Sequence, residues 1–168
     1  LETLRETAAC LNNLSLADEN KLPIANAKAL HTLIELAQSH DEECARQACG
    51  AFGNITEDVA THPVIASQHG GNFLIGLMNH TSLDVHREAS RAIANLLSSF
   101  NNHAEIIEDG LPGLIHLAMS PDGECQYNAS LAFRKLGPNL SAHNGIVEAG
   151  GLNALFYLAS VRDPKVRR

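Results

Sequence analysis

Ala89-Ser-Arg-Ala-Ile-Ala-Asn95-Leu-Leu97 decides the fold, because its pattern returns three more times, as Thr7-Ala-Ala-Cys-Leu-Asn-Asn13-Leu-Ser15, Ala48-Cys-Gly-Ala-Phe-Gly-Asn54-Ile-Thr56 and Ala129-Ser-Leu-Ala-Phe-Arg-Lys135-Leu-Gly137. Successive copies stand 41, 41 and 40 residues apart. A fixed period of about 20 to 50 residues marks a repeat array rather than one globular core. A second register agrees: Leu33-Ile34 with Leu36, Leu74-Ile75 with Leu77, Leu114-Ile115 with Leu117 and Leu155-Phe156 with Leu158 recur at 41, 40 and 41. Apolar and small residues at i, i+1, i+3 and i+4 trace one face of a helix, and alanine, serine and cysteine on that face let helices approach closely.

The breakers fall where such units need corners. Gly70-Gly71, Gly110 and Gly150-Gly151 precede the Leu-Ile helix at one repeat position, with Ala29 standing there in the first copy. Pro112 lies just inside that helix, Pro121 and Pro164 lie between it and the next, and Pro138 follows the third copy of the long helix. Each unit therefore reads as a short helix, a permissive corner, a second helix, a polar linker and a long third helix.

Gly70, Leu74-Ile75-x-Leu77, Asp84-Val85 and the run from Ala89 to Leu96 resemble the armadillo repeat, and the resemblance extends over essentially the whole chain. It implies an all-α fold, a right-handed α-solenoid of three-helix armadillo repeats. Residues 1–15 are expected to be the third helix of a partial repeat, 16–56, 57–98 and 99–138 complete repeats, and 139–168 a truncated one. The array reads as a fragment of a longer one, so its cut ends are expected to expose apolar surface and to self-associate end to end.

Composition excludes several function classes. Net charge is −7, aromatics make up 4%, and tryptophan is absent. That is not the basic, stacking surface that holds nucleic acid. No apolar run is long enough for a membrane span, and no basic segment followed by an apolar one opens the chain. Cys10, Cys44, Cys49 and Cys125 lack CxxC spacing and sit among apolar residues, as thiols do in the reducing cytosol or nucleus. The NxS/T triplets at Asn13, Asn54, Asn79, Asn128 and Asn139 are then coincidental.

Catalytic and metal chemistry find no support either. The 9 histidines never pair at i, i+3 or i, i+4, and no HExxH or phosphate-loop motif occurs. His40 and Cys44 are four apart, but Cys44 fills the apolar slot taken by Val85, Cys125 and Val166 in the other copies. The cysteines occupy packing slots rather than helix N-termini, so no nucleophile is poised. A non-enzymatic protein without cofactor or metal is expected.

Stacked third helices line the concave face of a solenoid. At about 100° per residue, positions four and seven before each recurrent Asn share its stripe. The stripes are Glu6/Ala9/Asn13, Gln47/Gly50/Asn54, Glu88/Arg91/Asn95 and Asn128/Leu131/Lys135. By the resemblance, Asn13, Asn54 and Asn95 would form a ladder that grips the backbone of an extended partner peptide, an amide offering both donor and acceptor. Lys135 replaces the fourth Asn and suits a carboxylate. The same amides could instead tie one repeat to the next.

Of the 8 basic residues before residue 161, Arg5, Arg46, Arg87, Arg91, Arg134 and Lys135 lie on third helices and only Lys21 and Lys28 elsewhere. A basic groove in an acidic chain suits an acidic linear segment, as in beta-catenin-like members. Importin-alpha-like members carry tryptophan four residues before the Asn, where this chain has Ala9, Gly50, Arg91 and Leu131, so basic peptides are not the expected ligand. Alternatively Arg46 and Arg87 pair with Glu42, Glu43, Asp84 or Glu88 and only solvate the surface. Two functions follow: a scaffold binding an extended, acidic protein segment through Asn13, Asn54, Asn95, Lys135, Arg91, Arg87, Arg46, Arg134, Gln47, Glu88 and Asn128, or an architectural segment that assembles through its ends or convex face.

Overall fold

The computed structural model describes residues 2–27 and 29–161, so Lys28 and the basic cluster at Arg162, Lys165, Arg167 and Arg168 lie outside the described residues. In chain order the helices are α1 (Glu2–Leu14), α2 (Asp18–Asn26), α3 (Ala29–Ala37), α4 (Glu42–Ile55), α5 (His62–Ser67), α6 (Gly70–Leu77), α7 (Leu83–Leu96), α8 (His103–Glu105), α9 (Leu111–Ala118), α10 (Gly123–Leu136), α11 (Leu140–Glu148) and α12 (Gly151–Ser160). No strand occurs among the described residues. The long helices α1, α4, α7 and α10 are the third helices, and each packs on the next, while α3, α6 and α9 close the core behind them.

The small residues of the repeated pattern make that stacking possible. Ala8, Ala48, Ala51, Ala89, Ala92, Ala129 and Ala132 are fully buried at the helix crossings. Leu33, Leu74 and Leu114 from the second helices meet them and are also fully buried. Burial of each such leucine contributes about 1.5–3 kcal/mol over leaving it in water. One continuous apolar core runs from Ala8 to Leu158.

The corner before each second helix has no single solution. In the second repeat His69, not a glycine, takes the left-handed conformation (φ 54°), and Gly70 and Gly71 already belong to α6. Their lack of a side chain serves proximity: a Cβ on Gly70 would strike Ile65, and one on Gly71 would strike the Glu105 carboxylate. In the third repeat Gly110 keeps an ordinary φ of −90°, because α8 runs through a wide π turn, Ile106–Gly110, straight into α9. Gly150 alone turns the corner as expected, at φ 88°.

A charged ladder fastens neighbouring third helices. Asp41 caps α4 by accepting from the Cys44 amide (2.9 Å) and also accepts from Arg5 Nε of α1 (2.9 Å). Asp122 caps α10 through the Cys125 amide (3.0 Å) and accepts from Arg87 Nη2 of α7 (2.7 Å). A cap carboxylate satisfies a helix-end N–H and faces the positive end of the helix dipole, so a cation from the next helix completes a low-energy arrangement. The Arg5 and Arg87 guanidinium groups hold Asp41 and Asp122 at about 2. The middle rung is missing: Ser82 caps α7 without a side-chain hydrogen bond, and Arg46 turns instead to Glu43 of its own helix (2.6 Å).

Asp122→Ala should cost about 1–2 kcal/mol at neutral pH in urea denaturation, from the lost cap and cross-helix pair. Because the folded carboxyl lies below its unfolded value of about 3.9, this stability is complete above that pH and disappears as pH falls toward about 2. The gap between wild type and variant should therefore close over that window; an equal gap at neutral and strongly acidic pH contradicts the assignment. Ser82→Asp should gain about 0.5 kcal/mol by restoring a cap and a partner for Arg46, read as a higher denaturation midpoint.

Candidate partner-binding groove

The exposed side of the third helices carries the sequence-derived stripes, but the structure places their members unequally. Asn13 is exposed at the end of α1 and makes no side-chain hydrogen bond among the described residues. Asn54 is 8% exposed and spent within the array: its Nδ2 donates to Asn12 Oδ1 (3.1 Å) and Ser15 Oγ (3.0 Å), and its Oδ1 accepts from Arg91 Nη2 (3.1 Å). Asn95 is half-buried, and its Nδ2 makes long contacts to the Gly53 carbonyl (3.5 Å) and Thr56 Oγ1 (3.3 Å). Lys135 Nζ donates to the Ala94 carbonyl (2.5 Å) and Ser98 Oγ (2.8 Å) at the end of α7.

Asn128 requires a correction. It is 6% exposed and donates to Ser90 Oγ (3.0 Å), which puts it between α10 and α7 rather than on the groove surface. There the amide reaches the buried Ser90 hydroxyl instead of solvent.

The arginines are not a free basic strip. Arg46 pairs with Glu43, and Arg87 with Asp122 and with Asp84 (3.0 Å). Arg91 binds Glu88 (2.6 Å) and Glu57 (2.8 Å) besides Asn54. It lies flat against α4, where Gly53 has no Cβ to obstruct it. Gln47 accepts from Asn12 Nδ2 (2.7 Å) and donates to Glu43 (2.8 Å). A polar chain thus crosses the groove floor from Glu43 through Gln47, Asn12, Asn54 and Arg91 to Glu57, and continues to Lys21 (3.0 Å) and Asp18 (2.7 Å). Burial alone would lower the Lys21 pKa, but the two carboxylates outweigh it and raise it.

Arg134 and Lys135 differ from these: among the described residues neither makes an ion pair with a carboxylate. Arg134 is exposed, while Lys135 is half-buried with its pKa lowered by burial and then by the charge of Arg134. Among the described residues, this end of α10 is where positive charge on the third helices is left uncompensated.

Asn12 and Glu57 were missed by the stripe reasoning. Asn12 lies one position before the aligned Asn13, and the reason is visible in Gly50: a Cβ there would stand 3.0 Å from Asn12 Nδ2, so glycine makes room for the neighbouring amide. Glu57 lies just past the end of α4, outside any helical period. Its signal was charge alone, a carboxylate one residue after a copy of the repeated pattern.

The thiols offer no chemistry in this groove. Cys44, Cys49 and Cys125 are buried, and burial pushes Cys49 and Cys125 up to about 12. Cys10, expected in a packing slot, is exposed on α1. Among the described residues no group of three or more metal-binding side chains converges, and no helix is long and apolar enough to cross a membrane. A native thiol titration with an aromatic disulfide reagent should therefore modify one equivalent quickly, lost in Cys10→Ser, and the other thiols only after denaturant is added; fast reaction at several sites would contradict this burial.

With the geometry in place, the chain can be set beside known proteins. The family model for the Armadillo/beta-catenin-like repeat matches residues 17–57. No curated protein matches by sequence search. An engineered protein of known crystal structure is 31% identical, with 97% of this chain and 68% of that one aligned at a TM-score of 0.88. A designed armadillo repeat protein in complex with a (KR)4 peptide is 26% identical, with 99% and 72% covered at a TM-score of 0.88. A computationally designed armadillo repeat protein for modular peptide recognition is 24% identical and shares the fold, with a TM-score of 0.90 over 98% and 71%. The four-fold pattern, the stacked third helices and these likenesses together place the chain in the armadillo repeat family.

Proposed function

We propose that this array is a protein-interaction scaffold that holds an extended segment of another protein along its third helices, anchored by an acidic residue of that segment at Arg134 and Lys135. The carrying observation is the contrast in charge pairing: Arg5, Arg46, Arg87 and Arg91 each face a carboxylate, while Arg134 and Lys135 face none among the described residues. A half-buried ammonium that already gives two hydrogen bonds keeps a third N–H for an incoming carboxylate, and the exposed guanidinium beside it adds a fork of donors. Asn13 and Asn95, the two amides with hydrogen-bonding capacity to spare, would take the partner's backbone. The designed armadillo repeat protein in complex with a (KR)4 peptide supports a peptide ligand for this fold. That ligand is basic, opposite in charge to the segment proposed here.

A second reading is favoured by the internal bonding of Asn54 and Arg91. A groove floor tied to itself suits an architectural segment that joins other surfaces through its ends or convex face.

Fluorescence anisotropy separates the two. Acidic extended peptides should bind the wild type, more weakly as salt rises. Arg134→Ala with Lys135→Gln should weaken them at least about tenfold, the loss of one good charged contact of about 1.4 kcal/mol, while (KR)4-type peptides stay unbound. Absence of binding to acidic and basic peptides alike would give the architectural reading its place.

A further inference from the structure

Lys21, His62, His103 and His143 stand 41, 41 and 40 residues apart, at the start of each repeat's first helix. Their neighbours repeat as well. His62 Nε2 donates to the Thr56 carbonyl (2.8 Å), His103 Nε2 to the Leu97 carbonyl (2.9 Å) and His143 Nε2 to the Gly137 carbonyl (2.8 Å), each the end of the preceding third helix. The first three also reach forward to the next repeat: Lys21 to Glu57 (3.0 Å), His62 Nδ1 to Ser99 Oγ (2.7 Å) and His103 Nδ1 to Asn139 Nδ2 (3.2 Å). His62 and His103 thus each bolt three successive units together along one edge.

The rungs differ in what a proton does to them. A carbonyl only accepts, so Nε2 of His103 carries hydrogen, and in the neutral ring Nδ1 is bare and accepts from the Asn139 amide. The orientation of that amide is fixed, because Asn139 Oδ1 accepts from the Ser141 N–H (3.1 Å) and so caps α11. Protonation of His103 would set N–H against N–H. Turning the amide over would restore the rung only by removing the cap. His62 has no such conflict, since the Ser99 hydroxyl can rotate from donor to acceptor.

We propose that the His103–Asn139 contact is a proton-sensitive latch that fastens α11 and α12 to the array when the ring is neutral and releases them when it is charged. The surroundings offer little to oppose release. His103 is 3% exposed. Its own turn carries Glu105, the following π turn Glu108 and Asp109, the end of α10 Arg134 and Lys135, and α11 His143 and Glu148; none of these bonds to the ring. Phe100 stacks on it (centroids 4.6 Å, 11° between planes), which attracts a charged ring, but Phe100 is largely exposed and such an attraction is weaker than the cost of either outcome, an N–H set against an N–H in a buried contact or a lost cap. Release would move the elements next to Arg134, so acidity would alter the end of the groove without touching its floor.

Hydrogen exchange across Leu140–Ser160, corrected for intrinsic rates and compared at about pH 8 and about pH 5.5, tests this. In wild type, protection of α11 should fall on acidification by about tenfold, with α3 and α4 unchanged. Asn139→Asp keeps a cap residue and offers only acceptors to the ring, so its protection should rise on acidification instead. The same pH response in both proteins would overturn the proposal. An independent readout needs no variant: the imidazole nitrogen shifts of His103 should report the Nε2–H tautomer at neutral pH, and an Nδ1–H tautomer would overturn it equally.

Discussion

The position of Arg91 depends on one missing atom. Gly53 has no Cβ, so the guanidinium of α7 can lie on the backbone of α4 and reach Asn54, Glu57 and Glu88 at once. Any side chain at Gly53 would lift it away, and α4 and α7 would then lose the polar contacts that complement their alanine-lined crossing. Gly50 does the same for Asn12 on the other side of α4. Glycine inside a helix costs about 1 kcal/mol against alanine. Here that cost is offset by contacts that only a bare backbone admits, and α4 becomes the central plank on which its two neighbours rest.

This arrangement governs what the groove can offer a partner. An arginine held by two carboxylates and an amide attracts little at a distance, because its charge is cancelled within a few ångströms. An amide whose donor and acceptor are both engaged cannot also grip a peptide without exchanging one bond for another, which yields little net free energy. The stretch of groove around Asn54 and Arg91 is therefore a stiffened surface, and hydrogen-bonding and electrostatic capacity remain on either side of it, at Asn13 on one and at Asn95, Arg134 and Lys135 on the other.

The period was legible in the sequence because packing repeats faithfully: an alanine at a helix crossing has few substitutes, so Ala48, Ala89 and Ala129 return on schedule, as do Ala51, Ala92 and Ala132. The site was less legible because its geometry depends on pairs that cross from one copy to the next. Arg5, Arg46 and Arg87 recur every 41 residues, and Asp41, Ser82 and Asp122 recur with them at 41 and 40. Superposing the copies compares each residue with its equivalents; the contacts instead join a residue to a position 35 or 36 later. Reading Arg46 against Glu43 succeeded because that pair is local, whereas Arg87 against Asp122 required knowing which helix end faces which helix middle. Asn128 failed for the opposite reason, since ideal angles place it on the stripe and only the presence of Ser90 draws it inward.

Copies of one frame become informative where they differ. Lys21, His62, His103 and His143 occupy one position, yet the first answers a carboxylate, the second a rotatable hydroxyl and the third a fixed amide. Asn54, Asn95 and Lys135 occupy another, and they run from fully engaged to carrying surplus charge. Asp41, Ser82 and Asp122 give two firm rungs around a loose one. The apolar core couples all units alike, so these polar differences set how strongly each junction resists opening and what each stretch of groove presents. In a solenoid, where a unit touches only its neighbours, stability is close to a sum of such local terms. A change at one junction then alters its own stretch of surface while the rest of the array holds its shape.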